Sequence, residues 1–197
     1  MNQPYSAHSD SQLIAAFREG DSAAMEHLVL RHKDKVFTAI FMLVRDRVTA
    51  DDLFQEVFLK IIQTVREGRY AEQGKFLPWA LRVAHNLCMD QFRRRQSRPA
   101  PAALPDDCHH LGALNDTHTP QAGHAMEQRQ TTGQVQRLIE RLPQDQREVV
   151  ALRIYGELSF KEIADMTGVS INTALGRMRY GLQNMRRMIA TQGLVLR

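Results

Sequence analysis

The sequence predicts an all-α protein built from two small helical domains joined by a flexible linker. Apolar residues recur at helical period through most of the chain, and no strand pattern of useful length appears. That periodicity lapses over residues 98–130, which hold four of the seven prolines, Pro99, Pro101, Pro105 and Pro120. The expected organisation is a first domain at 1–97, a linker at 98–130 and a second domain at 131–197.

A chain of 197 residues with 43% hydrophobic content can form one medium domain or two small ones with real cores. A formal charge of +4 and a pI near 9.3 are compatible with a nucleic-acid partner but do not establish one. Two cysteines, Cys88 and Cys108, imply no disulfide framework, so a reducing cytoplasm is the default expectation. The opening MNQPYSAHSD has no signal-peptide core, and no run approaches the roughly 18 apolar residues of a membrane span. A soluble cytoplasmic protein without membrane insertion is expected.

Ser9 or Asp10 can cap a first helix, SQLIAAFREG, ended by Gly20. Asp21 starts a longer one, with Met25, Leu28, Val29, His32, Val36, Ala39, Ile40 and Leu43 along one stripe. On that stripe His32 reads as a packed core histidine. The pattern breaks around RDRVTADD, and Thr49 with Asp52 resembles a capping box opening a third helix with Leu53, Val57, Ile61 and Val65 inward.

The other face of the third helix carries Asp52, Gln55, Glu56 and Leu59, an acidic and amide patch beside an apolar residue. A basic helical partner can dock there, although acids in a first turn also simply favour the helix dipole. Residues 66–75 read as a loop. A fourth helix starts at Phe76 or Pro78 with Leu77, Ala80, Leu81, Ala84, Leu87 and Cys88 inside. Its other face bears Trp79, Arg82, Asn86, Asp90 and Arg93, and it ends in Arg93-Arg94-Arg95. With Tyr70 in the neighbouring loop, this is the mixture that single-stranded nucleic acid recognition uses, stacking plus phosphate neutralisation. A core Trp79, with arginines answering the helix C-terminal dipole, fits the same residues.

Cys108-His109-His110, with His118 and His124, contains metal-ligand types, but lacks a second nearby cysteine and a scaffold, so a solvated linker is expected. The second domain resumes with Val135, Leu138, Ile139 and Leu142 and halts at Pro143. A helix with Val149, Val150, Leu152 and Ile154 inward follows.

Residues 157–182 then form a helix-turn-helix pattern. Ser159 and Glu162 make a capping box, and Phe160, Ile163, Ala164 and Thr167 share a face. Thr167-Gly168-Val169 turns, and Ser170 caps a second helix whose Ile171, Ala174, Met178, Leu182 and Met185 suggest a buried stripe. From Ser170 onward there are five arginines and no acid. Ser170, Asn172, Thr173, Gly176 and Arg177 on the outer side offer short hydrogen-bonding groups, one bare position and a guanidinium. Those types suit base edges in a major groove. No Ser/His/Asp set, phosphate-binding glycine loop or paired metal motif occurs, so neither enzyme activity, cofactor nor metal is expected.

Several stretches together resemble the sigma-70 family, specifically its extracytoplasmic-function group. TADDLFQEVFLKI resembles the helix that docks on the clamp-helix coiled coil of bacterial core RNA polymerase. KFLPWALRVAHNLCMDQFRRR is similar to the promoter-melting helix, and LPQDQREVVALRIYGELSFKEIADMTGVSINTALGRMR to the minus-35-reading domain. The resemblance implies polymerase binding by Asp52, Gln55, Glu56 and Leu59. It implies contact with the single-stranded minus-10 element by Arg69, Tyr70, Lys75, Trp79, Arg82, His85, Asn86, Arg93 and Arg94, with a base flipped near Asn86. Duplex minus-35 contacts fall to Ser170, Asn172, Thr173, Gly176, Arg177 and Arg179. An anti-sigma factor is a further partner the family implies. Leu175 stands where many members carry a basic residue, and His85 where arginine is frequent, so the promoter sequence is not carried over. The competing expectations are a stand-alone helix-turn-helix regulator, or a metal- or redox-sensing protein built on Cys88, Cys108 and the linker histidines.

Overall fold

A computed structural model describes residues 5–71, 73–97 and 133–192, and every regular element among them is helical. The first unit consists of α1 (Asp10–Arg18), α2 (Ser22–Val44), α3 (Arg47–Arg66) and α4 (Phe76–Ser97). The second contains α5 (residues 133–140), α6 (Gln144–Ile154), α7 (Phe160–Thr167) and α8 (Ile171–Gln192). The expected linker, with Cys108 and its histidines, lies outside the described residues.

Local capping chemistry sets most boundaries. The Ser9 hydroxyl and Gln12 side chain close a reciprocal box at α1, and Asp21 accepts the Ala23 amide at 3.0 Å to start α2. Helix α3 starts earlier than its sequence suggests. Asp46, not Thr49, is the cap, accepting the Thr49 amide at 2.9 Å and the Thr49 hydroxyl. Arg45 adopts the left-handed conformation at φ 58°, ending α2 so abruptly that Asp46 is free to open the next helix. Thr49 is therefore buried inside α3, where its hydroxyl accepts a 2.7 Å bond from Arg95 at the far end of α4.

In the second unit Ser159 and Glu162 form the anticipated box, Gly168 turns at φ 70°, and the Ser170 hydroxyl accepts the Thr173 amide at 3.0 Å. The buried seam of α8 departs from expectation. Ala174 and Met185 are buried, but Ile171 and Leu182 are exposed. Gly181 takes the inner place instead: a Cβ there would lie 2.9 Å from Val150 Cγ2. Small residues at 174 and 181 let α8 approach α6, and the bulky neighbours are displaced to the flank. Ile154, at the end of α6, is likewise exposed rather than inward.

The first unit's core includes Leu13, Ile14, Leu28, Val36, Ile40, Val57, Ile61, Val65, Phe76 and Leu81, all fully buried. It does not stop at the unit's edge. Val149, Leu152, Leu158, Ile163 and Ala174 of the second unit join the same cluster, and Met42 of α2 joins the second unit's cluster with Leu138, Ile139, Leu142 and Val150. Buried Arg147 spans the junction, its Nε donating to the Met42 carbonyl at 2.6 Å and its Nη1 to the Leu142 carbonyl at 3.0 Å. The two units are packed on one another, which helical periodicity within each does not foretell.

Candidate promoter and polymerase interface

The α3 patch is displayed as expected. Asp52, Gln55 and Glu56 are exposed, Leu59 is 69% exposed, and none of the three polar side chains bonds to another described residue. Asp51 differs, being held by Arg47 at 3.0 Å. Sequence reasoning misses one residue of this face: Val48 is 70% exposed and lies one turn before Asp52. The series 48, 52, 55, 59 is the available signal, and it is hidden when α3 is taken to start at Thr49. The resulting surface has an apolar side chain at each end and acid and amide between, a composition suited to a basic helical partner with apolar anchors.

The second set lies on α4 and the loop before it. Tyr70 is 5% exposed, and its ring lies against Trp79 with centroids 4.3 Å apart, while Phe76 supports Trp79 at 5.9 Å. The indole is thus half-buried, held from beneath and open on its outer side. Arg18 donates to the Tyr70 carbonyl and fixes the loop. Arg82 and Asn86 are exposed on successive turns, with Arg93 and Arg94 also exposed further along. Arg93 bonds Asp90 at 2.8 Å, and Arg69 pairs with Glu67. His85 is placed differently from its neighbours. It is 5% exposed, and its Nε2 is 2.7 Å from Glu148 Oε1 on α6. In this arrangement it faces the second unit and not the outer surface.

These groups border a cleft of about 540 Å³ between α4 and α7. Arg69, Tyr70, Lys75, Trp79 and Arg82 line one wall, and Lys161, Glu162, Asp165 and Met166 the other. Lys75 reaches Glu162 at 3.3 Å. Glu162 is held below the usual carboxylate range chiefly by the Ser159 hydroxyl and amide, with Lys75 adding to the effect.

On α8, Asn172 and Thr173 are exposed, and Ser170 is engaged in capping. Gly176 has open space where a Cβ would project. Arg177 extends toward α6 and bonds Asp145 at 2.8 Å, and Arg179 is exposed with its guanidinium 6.0 Å from the Tyr180 ring. Leu175, 43% exposed, breaks the polar character of this face. Cys88 is fully buried in α4, and burial pushes its thiol up to about 12. Among the described residues no group of three or more His, Cys, Asp or Glu is placed to hold a metal, and no helix is long and apolar enough to cross a membrane.

The chain is similar to known proteins in sequence and in fold. The family model described as sigma-70 region 2 matches residues 28–98, and that described as sigma-70 region 4 matches residues 132–179. CarQ, an RNA polymerase sigma factor of Myxococcus xanthus, is 29% identical over 174 residues, covering 88% of this chain and 93% of its own. The extracytoplasmic-function sigma factor SigE of Mycolicibacterium smegmatis is 32% identical over 174 residues, covering 87% of this chain and 65% of its own. Among solved structures, the sigma factor RpoE of Bartonella quintana, in complex with the anti-sigma factor NepR, superposes with a TM-score of 0.58 at 17% identity. That match covers 84% of this chain and 96% of RpoE and supports the fold. With the two region models matched in order on the two helical units, the chain belongs to the sigma-70 family, in its extracytoplasmic-function group, and is an RNA polymerase sigma factor that directs promoter-specific transcription initiation.

Proposed function

We propose that initiation is divided among the three surfaces described above. The α3 face, Val48, Asp52, Gln55, Glu56 and Leu59, docks on core polymerase. The α4 face captures the melted minus-10 strand, with Trp79 stacking, Asn86 and Arg82 beside a flipped base, and Arg69, Lys75, Arg93 and Arg94 neutralising phosphates. The outer side of α8 reads the minus-35 duplex through Asn172, Thr173, Arg177 and Arg179, with Ser170 holding the helix start and Gly176 allowing close approach. The residues 1–97 and 131–197 then act as separate modules joined by 98–130, and Cys108 and the linker histidines have no assigned part.

The observation that carries this reading is α4: a half-buried indole backed by Tyr70 and Phe76, with Asn86 and Arg82 exposed on the same helix. An exposed base can stack on such a platform without specifying its identity, and the amide can then read its edge. Two weak DNA contacts carried by one polymerase-bound chain reinforce one another through effective concentration, so neither module needs tight affinity alone. A stand-alone regulator gives this α4 face no task. The protein is assigned no catalytic chemistry, acts in the cytoplasm beside its polymerase, and is a candidate for restraint by an anti-sigma factor, as RpoE is bound by NepR.

Run-off transcription with core polymerase over a promoter library tests the assignment, with permanganate reactivity of minus-10 thymines reporting strand opening. Trp79→Ala should reduce opening at least tenfold while leaving core binding intact. Wild-type opening by Trp79→Ala would remove α4 from the melting role, and tight duplex binding without polymerase would favour the stand-alone regulator.

A further inference from the structure

The start of α3 is intrinsically weak. Its first turn, Arg47-Val48-Thr49, holds no acid and places a cation where the helix dipole is positive. Val48 and Thr49 are β-branched, and Val48, 70% exposed, gains little from packing. The residue before the cap, Arg45, sits in the left-handed region at φ 58°, which costs a non-glycine residue energy. Arg47 is answered in part by Asp51 at 3.0 Å and by the Phe37 ring 4.6 Å from its guanidinium. Nothing local does the same for Val48 and Thr49, yet this turn carries Val48 to the head of the face assigned above to polymerase.

Helix α4 supplies the missing support. Arg93, Arg94 and Arg95 are consecutive, so helical geometry turns each about 100° from the last. Arg93 bonds Asp90 on its own helix at 2.8 Å, whereas Arg95 reaches across to α3, its Nη2 donating to Thr49 Oγ1 at 2.7 Å. The single hydroxyl proton of Thr49 goes to Asp46 Oδ2, the cap of α3. The bonds therefore run from guanidinium to hydroxyl to carboxylate, and the charge at each end strengthens the bond at the other. Asp46 Oδ2 also accepts the Thr49 amide at 2.9 Å. Its carboxyl is held below the usual range chiefly by the Thr49 hydroxyl, then by that amide, with the Arg95 charge adding. Because Thr49 is buried, water replaces a lost partner poorly.

We propose that Arg95 is a positioning residue for polymerase docking. Through Thr49 and Asp46 it keeps the first turn of α3 formed, and so sets Val48 in line with Asp52, Gln55, Glu56 and Leu59 as one continuous surface. It does this without touching polymerase or DNA. When the Arg95 bond is lost the turn frays, Val48 leaves its register, and the docking surface begins only at Asp52. The three arginines that end α4 thus divide their work: Arg93 and Arg94 stay on the minus-10 side, and Arg95 serves α3. The inference rests on the reading of α3 as the docking face, but the state of the turn is measurable without polymerase.

Amide hydrogen exchange by NMR on the full-length protein reads the turn directly, because the amides at 49 and 50 bond the Asp46 carboxylate and carbonyl. Arg95→Ala should speed exchange at both roughly tenfold or more, as loss of a charge-assisted bond does, and leave the amide of Ile61 in mid-helix unchanged. Core polymerase affinity, from an anisotropy titration, should fall roughly three- to tenfold with the fraction of molecules whose turn is formed. Arg95→Lys, which keeps the charge and a donor, should recover part of both. Thr49→Val removes the hydroxyl at nearly constant shape and should reproduce both effects, and Arg95→Ala added to it should change nothing further. A loss of affinity that persists undiminished in the Thr49→Val background would mean that Arg95 meets polymerase itself. That result, or unchanged exchange or unchanged affinity in Arg95→Ala, would overturn the positioning role. Glu56→Arg separates this from the docking assignment, since it should bind core weakly with exchange at 49 and 50 unaltered. Normal core binding by Glu56→Arg would strike the docking face itself, whereas weak binding by Glu56→Arg beside normal binding by Arg95→Ala would strike the role of Arg95 alone.

Discussion

Two glycines on one helix make opposite demands, and substituting alanine at each distinguishes a functional glycine from a packing one. Gly176 lies in α8 with nothing within 4 Å of where a Cβ would lie. Alanine in a helix interior is about 0.8–1.0 kcal/mol more favourable than glycine, so with no clash to offset that gain Gly176→Ala should stabilise the second unit by about 1 kcal/mol. For a unit of this size that corresponds to a rise in melting temperature of about 4–8 °C. Five positions later, a Cβ at Gly181 would lie 2.9 Å from Val150 Cγ2 and 3.6 Å from Gln146 Cβ. Valine is stiff at χ1 and Val150 is fully buried, so overpacking of about 1–3 kcal/mol cancels or exceeds the propensity gain. Thermal unfolding followed by circular dichroism should therefore show Gly176→Ala above wild type and Gly181→Ala at or below it. In run-off transcription the order changes: Gly176→Ala, though the more stable protein, should be weaker on minus-35-dependent promoters, because the added methyl meets the groove. A Gly176→Ala protein that is less stable than wild type would contradict the open helical site, and one that is more stable with undiminished promoter activity would remove Gly176 from the DNA interface.

Glu56→Arg should weaken core polymerase binding roughly tenfold in a pull-down or anisotropy titration while leaving the unfolding curve unchanged, since Glu56 is exposed and bonds to no described residue. Equal core affinity in the two proteins would count against the α3 face. Arg177→Ala should lose about 1–3 kcal/mol of minus-35 discrimination, measured as the ratio of run-off product from matched and mismatched elements. A uniform loss on both templates would instead indicate that Arg177 contacts phosphate or serves only to pair with Asp145. Cys88, its thiol pushed up to about 12 by burial, should resist alkylation at pH 8 in a Cys108→Ser background until the protein unfolds. Because the folded state holds this proton more tightly, the associated stability is fully present below the unfolded thiol's pKa and is lost as pH rises from there toward about 12. Rapid labelling of the native protein would show α4 to be locally open.

What is legible in the sequence is what is local. A capping box needs residues three apart, so Ser159–Glu162 and the Ser170 cap are visible, and the core stripe of α4 from Leu77 to Cys88 follows from helical period. The start of α3 is not visible because its cap, Asp46, depends on a left-handed Arg45, and a non-glycine residue at φ 58° carries no composition signal. That misplaced start hides Val48. On α8, hydrophobicity assigns the buried seam to the largest apolar residues, whereas close approach to α6 selects Ala174 and Gly181 and turns Ile171 and Leu182 outward. Hydrophobicity identifies which residues gain from burial, but a seam between closely packed helices is decided by which residues are small enough.

The junction between the units has no such local signature. Its ion pairs join residues separated by 122, 87 and 63 positions, and each partner taken alone is an ordinary charge on an ordinary helix. Glu162 shows why the pairing is hard to see. Its spacing from Ser159 already accounts for it as a capping residue, and the capped geometry leaves one carboxylate oxygen, Oε1, directed to Lys75 while Oε2 serves Ser159. One side chain thus joins helix initiation in α7 to closure over α4. Removing the Ser159 hydroxyl takes away one of the two bonds that hold Glu162 Oε2, the backbone amide of residue 159 keeping the other, and also the acceptor at the helix start, so Ser159→Ala loosens the cap and the junction together, whereas Lys75 can be altered without touching the cap. The coupling between the α7 cap and the α4 cleft is accordingly the departure of the Ser159→Ala, Lys75→Ala double variant from the sum of the two single substitutions, a quantity present in the folded geometry and in no single segment of the chain.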